Sequence, residues 1–219
     1  MSEHVPTVYV VDDDPGVVRA LVRLVKAHGY QAVGFNDAWA FLDARAADPG
    51  PACVMLDLQM PGMDGIALQR RLDGELPVIF VTGHADVPST ILAMLAGATD
   101  FLLKPVQEDA LLASLERACR CAVARHMEHE EMADLRERLE RLTPREREVM
   151  AWVVTGRLNK QVASELGTVE KTIKAHRASV MRKLEVGSLA ELVRMADKLG
   201  LPAVAAARTP HRAGAGAGA

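Results

Sequence analysis

Short apolar runs alternate strictly with stretches of helical length through the first 120 or so residues, and few folds accommodate that order. Val8–Val11, Gln31–Phe35, Cys53–Leu56, Val78–Val81 and Phe101–Leu103 are brief runs of the kind that form buried parallel strands. Between them lie Pro15–His28, Asp37–Ala46, Gly65–Leu72, Val87–Ala96 and Gln107–Cys119, opened by turn or capping signals such as Asp14-Pro15, Asn36-Asp37 and Asp86. Parallel strands need a crossover between them, so the alternation predicts an α/β unit: five parallel strands with helices on both faces. In such sheets chemistry gathers at the carboxyl ends of the strands.

The 219 residues exceed one such unit and leave room for a second small domain. With 49% hydrophobic and 25% charged residues, a mostly disordered or collagen-like chain is excluded. No run approaches the roughly 18 apolar residues of a membrane span, and the start MSEHVPTVYVVDDD lacks the features of a signal peptide, so a cytoplasmic location is expected. Cys53, Cys119 and Cys121 are an odd set without metal-type spacing, and the last two, two apart on a helix, face different ways. Neither a disulfide framework nor a zinc site is indicated.

Charge is divided unevenly along the chain. Residues 1–122 carry 9 Lys and Arg against 16 Asp and Glu, residues 123–142 carry 4 against 6, and residues 143–219 carry 13 against 7. An acidic front and a basic back suggest that the back meets a polyanion, because Lys and Arg neutralising phosphates supply most non-specific nucleic-acid affinity. Chance patterning of solvated faces is the alternative.

Residues 123–142 hold no Pro or Gly and place Met132, Leu135, Leu139 and Leu142 at helical spacing. They read as a helical linker whose seam either lies on its own domain or pairs with a twin in a dimer. Thr143-Pro144-Arg145-Glu146 then starts a new helix, with Thr143 as N-cap and Glu146 closing a capping box. A second domain is expected over 143–201, after a first over 1–122, with the Ala- and Gly-rich 202–219 as a disordered tail.

Asp12 and Asp13 follow the first strand and Asp57 follows the third. In a doubly wound sheet those strands are neighbours, so the carboxylates meet in one crevice and need a cation between them. Hard oxygen donors suit Mg²⁺. Thr82 and Lys104, at the ends of the fourth and fifth strands, bring a hydroxyl and an ammonium to the same edge. One aspartate is then a candidate nucleophile toward a phosphoryl group. Taken singly, strand-end Asp and Thr are common helix caps; five such residues on four strand ends are harder to explain that way.

Val10–Asp14 (VVDDD), Asp57–Gly65 (DLQMPGMDG), Thr82–Asp86 (TGHAD) and Asp100–Pro105 (DFLLKP) resemble the receiver domain of two-component response regulators, and TGHAD followed by Val87-Pro88 is similar to the FixJ group. The resemblance implies a CheY-like fold with Asp57 as phospho-acceptor and Mg²⁺ held by Asp12, Asp13, Asp57 and the Gln59 backbone carbonyl. It also implies Thr82 as the switch hydroxyl, Phe101 as the aromatic that follows it inward, Lys104 as the ion-pairing lysine, and a cis Lys104-Pro105 peptide. The Gly65–Leu76 segment is a few residues shorter than usual in this family, which predicts a trimmed third helix or loop. Ile91–Ala96 is apolar nearly all round, predicting either deeper burial or an exposed association face that includes Ile91, Leu92 and Leu95.

From Thr143 onward, four short helices are predicted near Pro144–Thr155, Asn159–Leu166, Glu170–Leu184 and Leu189–Leu199, separated by Gly156, Gly167 and Gly187. This is a helix-turn-helix pattern. The third helix places Ile173, Val180 and Leu184 at core spacing, with Lys171, Lys174, Arg177, Arg182 and Lys183 around the remainder. The run from LTPREREVM to VMRKL resembles the LuxR-type DNA-binding domain. That resemblance implies Lys174, Ala175 and Ala178 as groove-facing readers and Lys171, Arg177, Asn159 and Lys160 as phosphate contacts.

The expectation is a two-component transcriptional regulator and not an enzyme: a sensor histidine kinase phosphorylates Asp57, the receiver dimerises, and the helix-turn-helix binds double-stranded promoter DNA, with RNA polymerase a further possible partner. A phosphoaspartyl phosphatase would carry a second aspartate where Gln59 stands, and a flavodoxin-like protein would need a phosphate loop where Asp12–Asp14 stand. A constitutive DNA-binding protein with a vestigial receiver is the remaining alternative.

Overall fold

A computed structural model describes residues 5–83 and 87–201, and the chain divides into two compact units, Met1–His129 and Glu130–Ala219. The expected cap Asp86, the His84-Ala85 part of TGHAD and the tail 202–219 lie outside the described residues.

The first unit runs β1 (Thr7–Val11), α1 (Pro15–Ala27), β2 (Gln31–Phe35), α2 (Ala38–Ala47), β3 (Ala52–Leu56), α3 (Gly65–Leu72), β4 (Val78–Thr82), α4 (Val87–Leu95), β5 (Asp100–Leu103) and α5 (Glu108–Glu140). All strand pairings are parallel, in the order β2-β1-β3-β4-β5. β1 and β3 are thus neighbours, as the alternation predicts. Every residue of β3 and β4 is buried, because helices cover both faces of the central strands.

Alternation along the strands feeds two cores. Val8, Val10, Cys53, Met55, Ile79 and Val81 pack with Leu21 and Val25 of α1 and Leu111 and Leu115 of α5. Val11, Val54, Leu56 and Phe80 pack on the other face with Phe41 of α2, Leu68 of α3 and Ala93 of α4. Asp14, Asp37 and Asp64 cap α1, α2 and α3, each accepting a hydrogen bond from a first-turn N–H. α3 is only eight residues long, where the sequence predicts trimming.

α5 differs from expectation. Instead of ending near Cys119 ahead of a separate linker helix, it continues unbroken for 33 residues, and the division between the two units falls inside it. No Pro or Gly between 108 and 140 interrupts the hydrogen-bond ladder. In the second unit, Leu135 and Leu139 pack partly buried against the C-terminal core and Leu142 is buried in it, so these three residues of the seam lie on their own domain.

The second unit continues with α6 (Pro144–Val153), α7 (Asn159–Glu165), α8 (Glu170–Lys183) and α9 (Leu189–Lys198) around Val149, Val153, Val162, Ile173, Val180, Leu184 and Leu192. Gly156 and Gly167 take left-handed conformations after α6 and α7, with φ of 79° and 61°. After α8 the left-handed residue is Glu185, with φ of 56°, and Gly187 lies between α8 and α9 as expected. Among the described residues, no helix is long and apolar enough to cross a membrane.

Candidate functional site

The parallel order brings the residues that follow β1 and β3 to one edge of the sheet. Asp57 continues the ladder by donating its N–H to Val11 O at 2.9 Å, which sets its side chain beside that of Asp12. Asp12 and Asp57 are only 2% and 6% exposed. Two buried carboxylates side by side are costly without a counter-charge. Lys104 supplies it: its Nζ lies 2.5 Å from Asp12 Oδ2 and 2.8 Å from Asp57 Oδ1.

Each remaining carboxylate oxygen is also bonded. Asp57 Oδ2 accepts from the Gln59 N–H at 2.6 Å, and Asp12 Oδ1 accepts from the Asp14 N–H at 3.0 Å. Partial burial pulls the Lys104 ammonium pKa down, but the hydrogen bonds and charges of Asp12 and Asp57 outweigh it and leave the pKa raised. Lys104 is held by its own N–H, which donates to Thr82 O at 2.8 Å; its peptide to Pro105 is cis, as the resemblance implies. Thr82 is buried at the end of β4, on the same edge.

Gly65 is required by close approach. A Cβ there would sit 2.3 Å from the backbone oxygen of Asp57, so the first residue of α3 must be glycine for the helix to pack under the pocket.

The other pocket residues are placed less centrally. Asp13 is exposed, unlike its two partners. Phe101 is half-buried, with its ring 6.3 Å from that of Phe80. Among the described residues no three His, Cys, Asp or Glu side chains converge as a metal group. The donors that do converge are all hard oxygens, two carboxylates with a backbone carbonyl nearby in sequence. That set fits Mg²⁺, which takes one or two carboxylates and keeps much of its water.

On α4, Ala93 is fully buried, while Ile91, Leu92 and Met94 are about half exposed and Leu95 is 79% exposed. Of the two readings of this helix, exposure applies. Leu103 on β5 is exposed too.

In the second unit, α8 buries Ile173, Val180 and Leu184 and turns Lys171, Lys174, Ala175, Ala178 and Arg182 to solvent. These five positions share one face at helical spacing. Lys160 is exposed on α7, and Asn159 accepts a hydrogen bond from Arg177 at 3.3 Å, which ties the two helices together. Lys183 departs from the expected exposed basic set. Its ammonium lies 2.7 Å from Glu146 Oε2.

Sequence reasoning misses most of what Glu146 does. The capping box with Thr143 is present, but the same buried carboxylate also accepts from Ser179 Oγ at 2.6 Å and pairs with Lys183. Burial alone raises its pKa, yet the Lys183 and Ser179 hydrogen bonds and the Thr143 cap bring it down to about 2. Glu at the third helical position was the visible signal; its partners, more than 30 residues away in sequence, have no local signature.

A receiver-type sheet with a lysine-bridged acidic pair, followed by a helix-turn-helix unit with a basic outer face, defines the response-regulator class of transcription regulator. Residues 8–116 match the response regulator receiver domain family, and residues 140–196 match the luxR family of bacterial regulatory proteins. The response regulator protein TodT of Pseudomonas putida is 39% identical over 203 residues, covering 91% of this chain and 88% of its own length. The transcriptional regulatory protein FixJ of Bradyrhizobium diazoefficiens is 41% identical over 199 residues, covering 89% and 96%. Among solved structures, the response regulator StyR superposes with a TM-score of 0.75 at 41% identity, covering 88% of this chain and 98% of its own. The chain belongs to the FixJ-type response regulators, a receiver joined to a LuxR-type DNA-binding domain, and is a phosphorylation-activated transcription regulator.

Proposed function

We propose that Asp57 is the carboxylate that takes the phosphoryl group from a phosphohistidine of a sensor histidine kinase. The observation that carries this reading is the Lys104 bridge to Asp57 and Asp12. A carboxylate oxygen of Asp57 attacks phosphorus, the P–N bond to histidine breaks, and the Lys104 ammonium is at hand for the charge that develops on the phosphoryl oxygens. Asp12, Asp13, Asp57 and the Gln59 carbonyl would hold Mg²⁺, which when bound supplies a second positive charge beside those oxygens. Gln59 stands where a phosphatase of this chemistry carries an acid, which favours a signalling module over a turnover enzyme.

Thr82 is the hydroxyl that engages the phosphoryl group, and Phe101 takes up the space so freed, which changes the face presented by Ile91, Leu92 and Leu95. The half-buried state of Phe101 supports this, because part of the ring still faces solvent and gains burial by turning inward. The exposed side chains of that face support dimerisation through it. The domains are then a receiver over 1–122, a connecting segment over 123–142 and a DNA-binding domain over 143–201. Lys174, Ala175 and Ala178 meet base edges, while Lys171, Arg177, Asn159 and Lys160 meet phosphates. Such a protein works in the cytoplasm beside DNA, and RNA polymerase is its downstream partner.

Labelling with a small-molecule phosphodonor tests the core of this reading. Wild-type protein should take up one phosphoryl group and Asp57→Asn none; full labelling of that variant would move the acceptor elsewhere.

A further inference from the structure

We propose that Cys53 and Cys119 form an oxidant-responsive thiol pair that closes to an intramolecular disulfide when a hydroperoxide reaches the first unit. Cys53 lies on β3 and Cys119 on α5, 66 residues apart in sequence, yet their sulfurs are 4.0 Å apart. The phosphorylation reading uses neither. Both belong to the core between the sheet and α1 and α5, where Cys53 is fully buried and Cys119 is 9% exposed. Cys121, two residues further along α5, is exposed and belongs to a different face of the helix.

The two thiols are not equivalent. The hydrogen bond between them lowers the pKa of Cys119 against the opposing effect of burial, while that hydrogen bond, burial and the neighbouring charge all push Cys53 well up. Cys119 lies nearer the surface than Cys53, 9% against 0% exposed, so a small oxidant reaches its sulfur first. This is the arrangement of an attacking and a resolving cysteine.

The chemistry balances with a hydroperoxide as the oxidant. The Cys119 sulfur attacks the peroxide, the O–O bond breaks, an alcohol or water leaves, and Cys119 becomes a sulfenic acid. The Cys53 sulfur then attacks the Cys119 sulfur, the S–O bond breaks, and a second water departs with the Cys53 proton. Two thiols and one hydroperoxide give one disulfide, one alcohol or water, and one water.

A disulfide bond is about 2.05 Å long, so closing the pair draws the sulfurs together by about 2 Å from their present separation. β3 is held between β1 and β4 at the centre of the sheet. The adjustment therefore falls on α5, the helix that runs on to Glu140 past the division between the units.

The test uses the full reduced chain, treated with a few equivalents of hydrogen peroxide, denatured, alkylated and mapped by peptide mass spectrometry. The three free thiols should fall to one, with a Cys53–Cys119 linked peptide lacking two hydrogens and Cys121 alkylated. Dithiothreitol should restore all three. Cys121→Ser should crosslink as the wild type does. Cys53→Ser should lose the crosslink and leave a sulfenic acid on Cys119 that dimedone traps. Because the wild-type map carries the result by itself, a poorly folded variant does not obscure it. Oxidation confined to Cys121, read as disulfide-linked dimers with Cys53 and Cys119 still alkylated, would overturn the proposal, as would alkylation of all three cysteines.

Discussion

Glu146 Oε2 lies 2.7 Å from the Nζ of Lys183, which joins the first turn of α6 to the last turn of α8. The carboxylate is buried, and its pKa is brought down to about 2 from an ordinary 4.5. Because the folded value lies below the unfolded one, the pair stabilises the second unit fully above about pH 4.5, and that contribution is lost as the pH falls toward 2. A shift of this size corresponds to about 3 kcal/mol. Urea titrations of wild type and Glu146→Gln at pH 7 should show the variant less stable by about 2–3 kcal/mol, with the gap narrowing below pH 4. Equal stability at pH 7 would assign the fold of this unit to its apolar core alone.

Asp13 is exposed while Asp12 and Asp57 are buried against Lys104. Removing an exposed carboxylate leaves the lysine-bridged pair in place and should weaken only the affinity for a divalent cation. Asp13→Ala is expected to label slowly at low Mg²⁺ and to approach the wild-type rate when Mg²⁺ is raised about tenfold or more. Asp57→Asn should remain unlabelled at any Mg²⁺ concentration. Recovery of both variants, or of neither, in the same titration would count against the separate roles.

Lys171 and Lys174 share the exposed face of α8 but are expected to act differently on DNA. Replacing a phosphate contact weakens all sequences alike and reduces the salt slope by about 1, whereas replacing a base contact relaxes preference at one position by about 1–3 kcal/mol. Binding of Lys171→Ala and Lys174→Ala to specific and scrambled duplexes across a salt series separates the two outcomes. If neither substitution changes binding, another element faces the groove.

Leu95 is 79% exposed on an α4 face that carries no charge. A glutamate there leaves Asp57 and Lys104 untouched and places a charge in the proposed contact between two copies. Sedimentation of phosphorylated Leu95→Glu should report a monomer with normal labelling, against a wild-type dimer. A dimer in the variant would shift the association to another surface.

The parallel sheet follows directly from sequence, because buried strands and crossover helices alternate with periods that leave little choice, and strand order then carries Asp12, Asp57, Thr82 and Lys104 to one edge. The caps of α1, α2 and α6 were equally legible, since capping is a contact between residues two or three apart. What the tertiary structure alone decided are relations between distant residues. The Ser179 and Lys183 bonds to Glu146 and the Cys53–Cys119 contact join groups 33 to 66 residues apart, and no local pattern encodes them. The continuity of α5 was also decided there. A polar, break-free helix can stop or run on at little local cost, and the packing of Leu135 and Leu139 against the second core supplies the burial that propensity alone lacks.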